Sequence, residues 1–148
     1  MARVTTESPP HPMKYQALAL AILIPLAGGS VASEPLPAAL AFRTNLERID
    51  ARTLVVEFDI APGYFLYKKR LAVLEVRGFE VQDTAVTGVK QANDPEFGVQ
   101  DVLDSGSHVV LRGRSETPNS PAAIKLKIQG CLINEVCYPP EVRTLQVR

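Results

Sequence analysis

Two residues of this chain have a type and spacing that could do chemistry: Cys131 and Cys137, within Gln129-Gly130-Cys131-Leu132-Ile133-Asn134-Glu135-Val136-Cys137-Tyr138-Pro139-Pro140. The first cysteine follows a strand-like run, and the second leads into Tyr-Pro-Pro, through which no helix can continue. The spacing reads as a hairpin whose end a short disulfide can close. Such a bond is either a staple or a reagent. As a staple it closes a very short loop, which removes roughly 2.4 kcal/mol of denatured-state entropy. As a reagent it exchanges with outside thiols, and for that it needs access and a defined geometry more than bonding energy. Composition alone leaves both open. The isolation of the pair, its place at a strand end and the rigid proline segment beside Cys137 favour the reagent.

Other chemistries find little support. His108 is the only histidine beyond residue 33, and two sulfurs with one distant imidazole fall short of a closed tetrahedral metal shell, so no metal or cofactor is expected. A papain-type thiolate needs a base beside it, and His108 sits in a strand-like run far along the chain. The carboxylates show no pairing for glycoside hydrolysis, and no Gly-rich phosphate loop is present. Sixteen Lys and Arg balance sixteen Asp and Glu. No long-range field therefore points toward nucleic acid or an anionic membrane.

The elements that must position the pair begin with an address. Met13-Lys14, the apolar run Ala17 to Ala27 and the small residues Gly28 to Ser33 have the three-part build of a secretory signal peptide, with Met13 the expected start and cleavage expected after Ala32 or Ser33. The apolar run contains Pro25 and falls short of the roughly 20 residues of a bilayer span. Residues 1–33 are thus read as a signal peptide and 34–148 as one exported domain, in an oxidising compartment where a cysteine pair can persist as a disulfide.

After a proline-rich arm, Glu34 to Leu40, short strands follow. Leu54, Val56, Phe58 and Ile60 alternate with Val55, Glu57 and Asp59, and Ile124, Leu126 and Ile128 with Lys125, Lys127 and Gln129. Leu71–Val76 is expected as a strand with Leu71, Val73 and Glu75 on one face, and His108–Arg112 and Val142–Val147 as further strands. A shorter one is expected around Phe79 and Val81. Ala61-Pro62-Gly63 reads as a turn, and Asn93 to Gly98 as a loop. Tyr64-Phe65-Leu66-Tyr67 is dense in aromatics and leads into the basic triplet Lys68-Lys69-Arg70. No amphipathic helix is expected after residue 33. The pattern predicts an all-β fold, an immunoglobulin-like antiparallel β-sandwich, with a small barrel as the alternative. The chain has no Trp, and its cysteines are too close in sequence to pin two sheets together.

Three segments, in order, resemble the N-terminal periplasmic domain of the DsbD thiol:disulfide interchange family: Gly63-Tyr64-Phe65-Leu66-Tyr67-Lys68-Lys69, Asp94-Pro95-Glu96-Phe97-Gly98, and the cysteine hairpin through Glu141. The resemblance implies an immunoglobulin-like domain that carries reducing equivalents from a membrane-linked donor to thioredoxin-fold periplasmic proteins, such as disulfide isomerases or cytochrome c maturation thioredoxins, through transient complexes and as a monomer. It implies that Cys137 forms the mixed disulfide and Cys131 resolves it. Phe65, Tyr67 and Tyr138 would belong to the pocket, and Asp94, Glu96, Phe97 and Gly98 to a cap that shields the pair until a partner displaces it. The family often places two aromatics before the glycine. Here Glu96 takes the first position, so either Phe97 shields alone or the loop shifts by one residue. Family proteins continue into membrane and thioredoxin domains, so a chain ending after the closing strand implies a free-standing version or a truncated product. The competing reading from residues alone is a non-catalytic immunoglobulin-like binding module with a structural disulfide.

Overall fold

The structure, a computed structural model, describes residues 34–115, 117 and 120–147. The expected leader, Met1 to Ser33, lies outside the described residues. The described residues form twelve strands, with the clearest period-2 apolar patterning in Thr53–Ile60 and Ala122–Ile128. In chain order they are β1 (Phe42–Asp50), β2 (Thr53–Ile60), β3 (Tyr64–Tyr67), β4 (Ala72–Arg77), β5 (Phe79–Thr87) and β6 (Lys90–Asp94). There follow β7 (Gly98–Leu103), β8 (His108–Ser115), β9 (Ala122–Ile128), β10 (Gly130–Leu132), β11 (Val136–Cys137) and β12 (Glu141–Val147). Helical structure among the described residues is one turn at Ala38–Ala41 and a 3-10 turn at Lys68–Arg70.

Every pairing is antiparallel. One sheet has the order β1-β2-β8-β5, a second β12-β9-β4, and a third β11-β10-β3-β7-β6. All three bury side chains in a single core: Leu54, Val56 and Phe58 of β2, Val109 and Leu111 of β8, Ile124, Leu126 and Ile128 of β9, and Leu66 of β3. Each fully buried aliphatic side chain contributes about 1.5–3 kcal/mol, which lets the fold stand without a disulfide between the layers. The architecture is the expected immunoglobulin-like β-sandwich rather than a closed barrel.

Four local readings change. β1 was not expected as a strand, because only Phe42 and Leu46 are apolar along its inward register. Arg48 takes the next inward position, where its two terminal guanidinium nitrogens donate to the Ser115 hydroxyl and, at 2.7 Å, to the Ser120 carbonyl, while its buried Nε is left without a partner among the described residues. β5 runs from Phe79 to Thr87, longer than the short strand expected, because β8 pairs with it along its whole length. In β4 a bulge between Val73 and Glu75 shifts the register. Val73 and Val76 therefore both pack on the core, while Leu74 points to solvent. Finally, Asn93–Gly98 is not one open loop. Asp94 pairs with Gly98 across β6 and β7, leaving Pro95, Glu96 and Phe97 as a hairpin tip, and Gly98 takes the left-handed φ of +69° that such a tip requires.

The third sheet positions the cysteines. Every residue of β3 is buried: Tyr64 and Leu66 face the main core, while Phe65 and Tyr67 face outward and form a separate apolar cluster with Val102 and Cys131. The β6–β7 hairpin and the β10–β11 hairpin flank this outer face.

Candidate cysteine redox site

β10 and β11 form a hairpin closed at Ile133-Asn134-Glu135. The Glu135 amide donates to the Leu132 carbonyl at 3.1 Å. Asn134 has φ 58°, a conformation that asparagine tolerates in turns. The Ile133 amide donates to the Gly63 carbonyl at 2.9 Å, tying the tip to the predicted Ala61-Pro62-Gly63 turn.

Cys131 and Cys137 stand directly opposite each other. Because the Tyr138 amide donates to the Gly130 carbonyl at 2.9 Å, residues 130 and 138 are the hydrogen-bonded pair and the cysteines the adjacent non-hydrogen-bonded one, the type in which strands approach most closely. Their Cα atoms are 4.0 Å apart and the sulfurs are bonded. The two cysteines differ in access: Cys131 is 2% exposed, whereas Cys137, on the two-residue edge strand, is exposed.

Cys131 lies opposite Phe65 on β3. The Phe65 ring meets Tyr67 edge-on at 5.1 Å, and Tyr67 meets Phe97 edge-on at 6.4 Å. Asp94, itself buried, organises the cap. One carboxylate oxygen accepts from the Tyr67 hydroxyl, and the other accepts the amides of Glu96 at 2.9 Å and Phe97 at 2.8 Å. Lys69 places its ammonium 5.4 Å from the Phe97 ring centre and 5.8 Å from that of Tyr67, within cation–π range.

These contacts set the local electrostatics. The Tyr67 hydroxyl, and after it the Phe97 amide, hold the Asp94 carboxyl below its ordinary range. Burial first, and then the bond to Asp94, push the Tyr67 phenol up. A carboxyl with a depressed folded pKa stabilises the fold above its unfolded value, near 4, and loses that contribution as pH falls through the folded value. A phenol with a raised pKa contributes fully below about 10 and loses that contribution as pH rises toward the raised value. Hydrogen-exchange protection of the Glu96 and Phe97 amides, corrected for intrinsic exchange, is therefore expected to be flat from about pH 5 to 9 and to fall on both sides. In Asp94→Ala it should be low throughout. Equal protection in that variant would remove Asp94 as the organiser of the cap.

Two grooves meet at Cys137. One, of about 320 Å³, runs between the cap and the cysteine hairpin and is lined by Phe65, Asp94, Glu96, Cys131, Glu135 and Cys137 among others. The other, of about 150 Å³, lies toward Tyr67, Lys69, Arg70 and Phe97. Glu96 and Cys137 border both. The structure thus brings together Cys131, Cys137, Phe65, Asp94 and Glu96 in the first groove, and Tyr67 and Phe97 in the second. Gly98 opens the returning strand β7. The shielding is partial: Cys131 is sealed and Cys137 is not. Tyr138, expected in the pocket, lies instead on the opposite face of the sheet, edge-on to Phe42 at 5.3 Å, because consecutive strand residues point to opposite faces. Lys69 and Glu135 were not singled out from sequence. Lys69 was visible only as part of a basic triplet, and nothing in that triplet marks which cation sits against the aromatics.

A family model described as "Thiol:disulfide interchange protein DsbD, N-terminal" matches residues 32–148. The chain is 34% identical over 110 residues to a thiol:disulfide interchange protein DsbD of Ralstonia nicotianae, covering 74% of this chain and 18% of that one. It is 36% identical over 112 residues to one of Pseudomonas fluorescens, covering 76% and 18%. The chain thus spans less than a fifth of these relatives' length. Among solved structures it is similar to the reduced DsbD N-terminal domain of Neisseria meningitidis, with a TM-score of 0.59 at 24% identity, covering 76% of this chain and 88% of that one. It is equally similar to that domain in a complex with the PilB N-terminal domain, with a TM-score of 0.59 at 24% identity, covering 78% and 88%.

Proposed function

The chain belongs to the DsbD N-terminal family, and on that premise we propose that it is a periplasmic thiol:disulfide interchange domain that passes electrons through Cys131 and Cys137 to thioredoxin-fold partners. The observation that carries this reading is the unequal burial of the two sulfurs, with the exposed one at the junction of two grooves. In the dithiol form, the Cys137 thiolate attacks a partner disulfide, forming a mixed disulfide and releasing one partner thiolate. The Cys131 thiolate then attacks the Cys137 sulfur, re-forming the intramolecular disulfide and releasing the second. Two electrons pass to the partner, and its two thiolates take up protons from solvent. Reduction by a membrane-linked donor runs the same steps backwards.

The surroundings suit that chemistry. Cys131, sealed beneath Phe65 and Tyr67, is kept from small oxidants that would carry a thiolate up the oxidation ladder. Glu96 and Phe97 stand beside Cys137 and restrict the directions from which a disulfide can approach in line. The meningococcal DsbD N-terminal domain, to which this chain is similar, forms a complex with the PilB N-terminal domain, which supports a second protein domain as the partner. Export by a cleaved leader and a periplasmic location belong to the same proposal, and the mass of the mature N-terminus tests them.

The reduction potential of the pair tests the function. A carrier is expected between about −120 and −270 mV, in the range of its partners, whereas a structural bridge lies below about −300 mV. A value in the lower range would return Cys131–Cys137 to the role of a staple.

A further inference from the structure

Cys137 sits on the weakest strand of its sheet. β11 has two residues and pairs on one side only, and beyond Tyr138 come Pro139 and Pro140, which carry no amide hydrogen to donate. In the oxidised protein the disulfide itself holds β11 against β10. In the dithiol that cross-link is gone, and the opposition of Cys131 and Cys137 depends on noncovalent ties.

Tyr138 supplies them. Its amide donates to Gly130, and its carbonyl accepts from the Gln129 side chain at 3.3 Å. Its ring packs edge-on against Phe42 at 5.3 Å and lies 6.2 Å from Tyr64. Its hydroxyl donates to the Leu36 carbonyl at 2.5 Å, and the Leu36 amide donates to the Tyr64 hydroxyl at 2.7 Å. Both backbone groups of one residue in the N-terminal arm are thus held by two tyrosines, one beside the exposed cysteine and one on the central strand β3. The arm is itself fixed further along: Arg143, just beyond the proline pair, donates to the Ala38 carbonyl at 3.2 Å and to the Phe42 carbonyl while holding Glu141 at 2.6 Å.

We propose that Tyr138 is a positioning residue for disulfide closure: through Leu36 and Tyr64 it straps the Cys137 strand in register when the sulfurs are not bonded to each other. The inference rests on the redox reading of the pair. The strap keeps the Cys131 thiolate in line with the Cys137 sulfur of a mixed disulfide, so that closure is intramolecular and pre-organised. In the oxidised form the disulfide already orders β11, so the strap forms there at no further loss of freedom, whereas in the dithiol and the mixed disulfide the same contacts must also hold the strand in place. Without the hydroxyl the dithiol gains conformational freedom and the disulfide becomes less favoured.

The test uses oxidised glutathione as the probe, so it needs no protein partner. Reduced wild type, Tyr138→Phe and Tyr64→Phe are mixed with it, closure of the glutathione mixed disulfide is followed by acid quench, and the potential is taken at equilibrium. Loss of one hydrogen bond at Tyr138→Phe is expected to slow closure and lower its equilibrium constant by about fivefold, which is about 20 mV toward less negative values. Tyr64→Phe should move both in the same direction by less, and it carries the test if Tyr138→Phe does not fold. A lowered melting temperature with wild-type closure rate and potential in the folded variants would overturn the inference and reduce the strap to ordinary stability. The wild-type potential separately tests the carrier reading, and its failure would be visible whatever the variants do.

Discussion

The reduced Cys131→Ser protein, offered an oxidised thioredoxin-fold protein, is expected to accumulate a mixed disulfide through Cys137, whereas Cys137→Ser is expected to trap almost nothing. The asymmetry follows from access. Cys131 is 2% exposed beneath Phe65 and Tyr67, and Cys137 lies exposed where the two grooves meet. A partner disulfide must align with the attacking sulfur along its own S–S axis, and only Cys137 leaves room for that approach. With serine at 131 the intramolecular resolver is gone, and release must await an external thiol. Since well-oriented intramolecular attack reaches very high effective molarities, the complex should last on the order of 100-fold longer or more. With serine at 137 the remaining thiol is buried, so its exchange should be slower by a comparable factor. Non-reducing gels with mass identification of the captured cysteine read both. Equal trapping by the two variants would mean that burial does not choose the reacting sulfur. Trapping by neither would point to a staple.

Much of the site was legible because period-2 patterning and turn chemistry act locally. β9 shows its two faces in Ile124, Leu126 and Ile128 against Lys125 and Lys127, and Ile124, Leu126 and Ile128 are buried as that pattern requires. The cysteine hairpin was readable from spacing and the proline pair, and Asp94 as a turn starter from the residues after it. What was not legible depends on contacts distant in sequence. β1 has too few apolar residues to announce itself, and Arg48 is acceptable at its inward position only because Ser115 and Ser120 receive it. The bulge at Leu74 overturns a clean alternation, since the strand bends to follow β9. Asp94 is held by Tyr67, 27 residues upstream, a partner that turn chemistry alone does not name. Tyr138 is a different kind of miss. Adjacency to Cys137 suggested a shared pocket, but alternation along a strand places neighbours on opposite faces, so that rule already pointed away from the pocket.

Gly130 carries the second large expected effect. A Cβ there would stand 2.5 Å from the Phe65 carbonyl oxygen and 2.6 and 2.7 Å from two atoms of the Phe42 ring. The carbonyl belongs to the backbone of β3, directly across the ladder, and cannot swing aside. The ring is wedged between Tyr64 and Tyr138 at 5.7 and 5.3 Å. Gly130→Ala must therefore push β10 away from β3 or displace the aromatic group under the N-terminal arm, and overpacking of this kind costs about 1–3 kcal/mol. For a domain of this size that lowers the melting temperature by roughly 5–15 °C. Gly98→Ala makes the comparison sharp: nothing lies within 4 Å of its added Cβ, so only the strain of a left-handed φ remains, about 1 kcal/mol, and it is confined to the cap. Thermal unfolding of the two variants should rank Gly130→Ala well below Gly98→Ala, which should sit slightly below wild type. If Gly130→Ala melts within a degree or two of wild type, Phe42 does not lie against the hairpin, and the support beneath the cysteine pair must come from elsewhere. If it melts as expected, the glycine before Cys131 is there for the closeness of Phe42 and β3, and the same closeness lets the aromatic group brace the strand that carries Cys137.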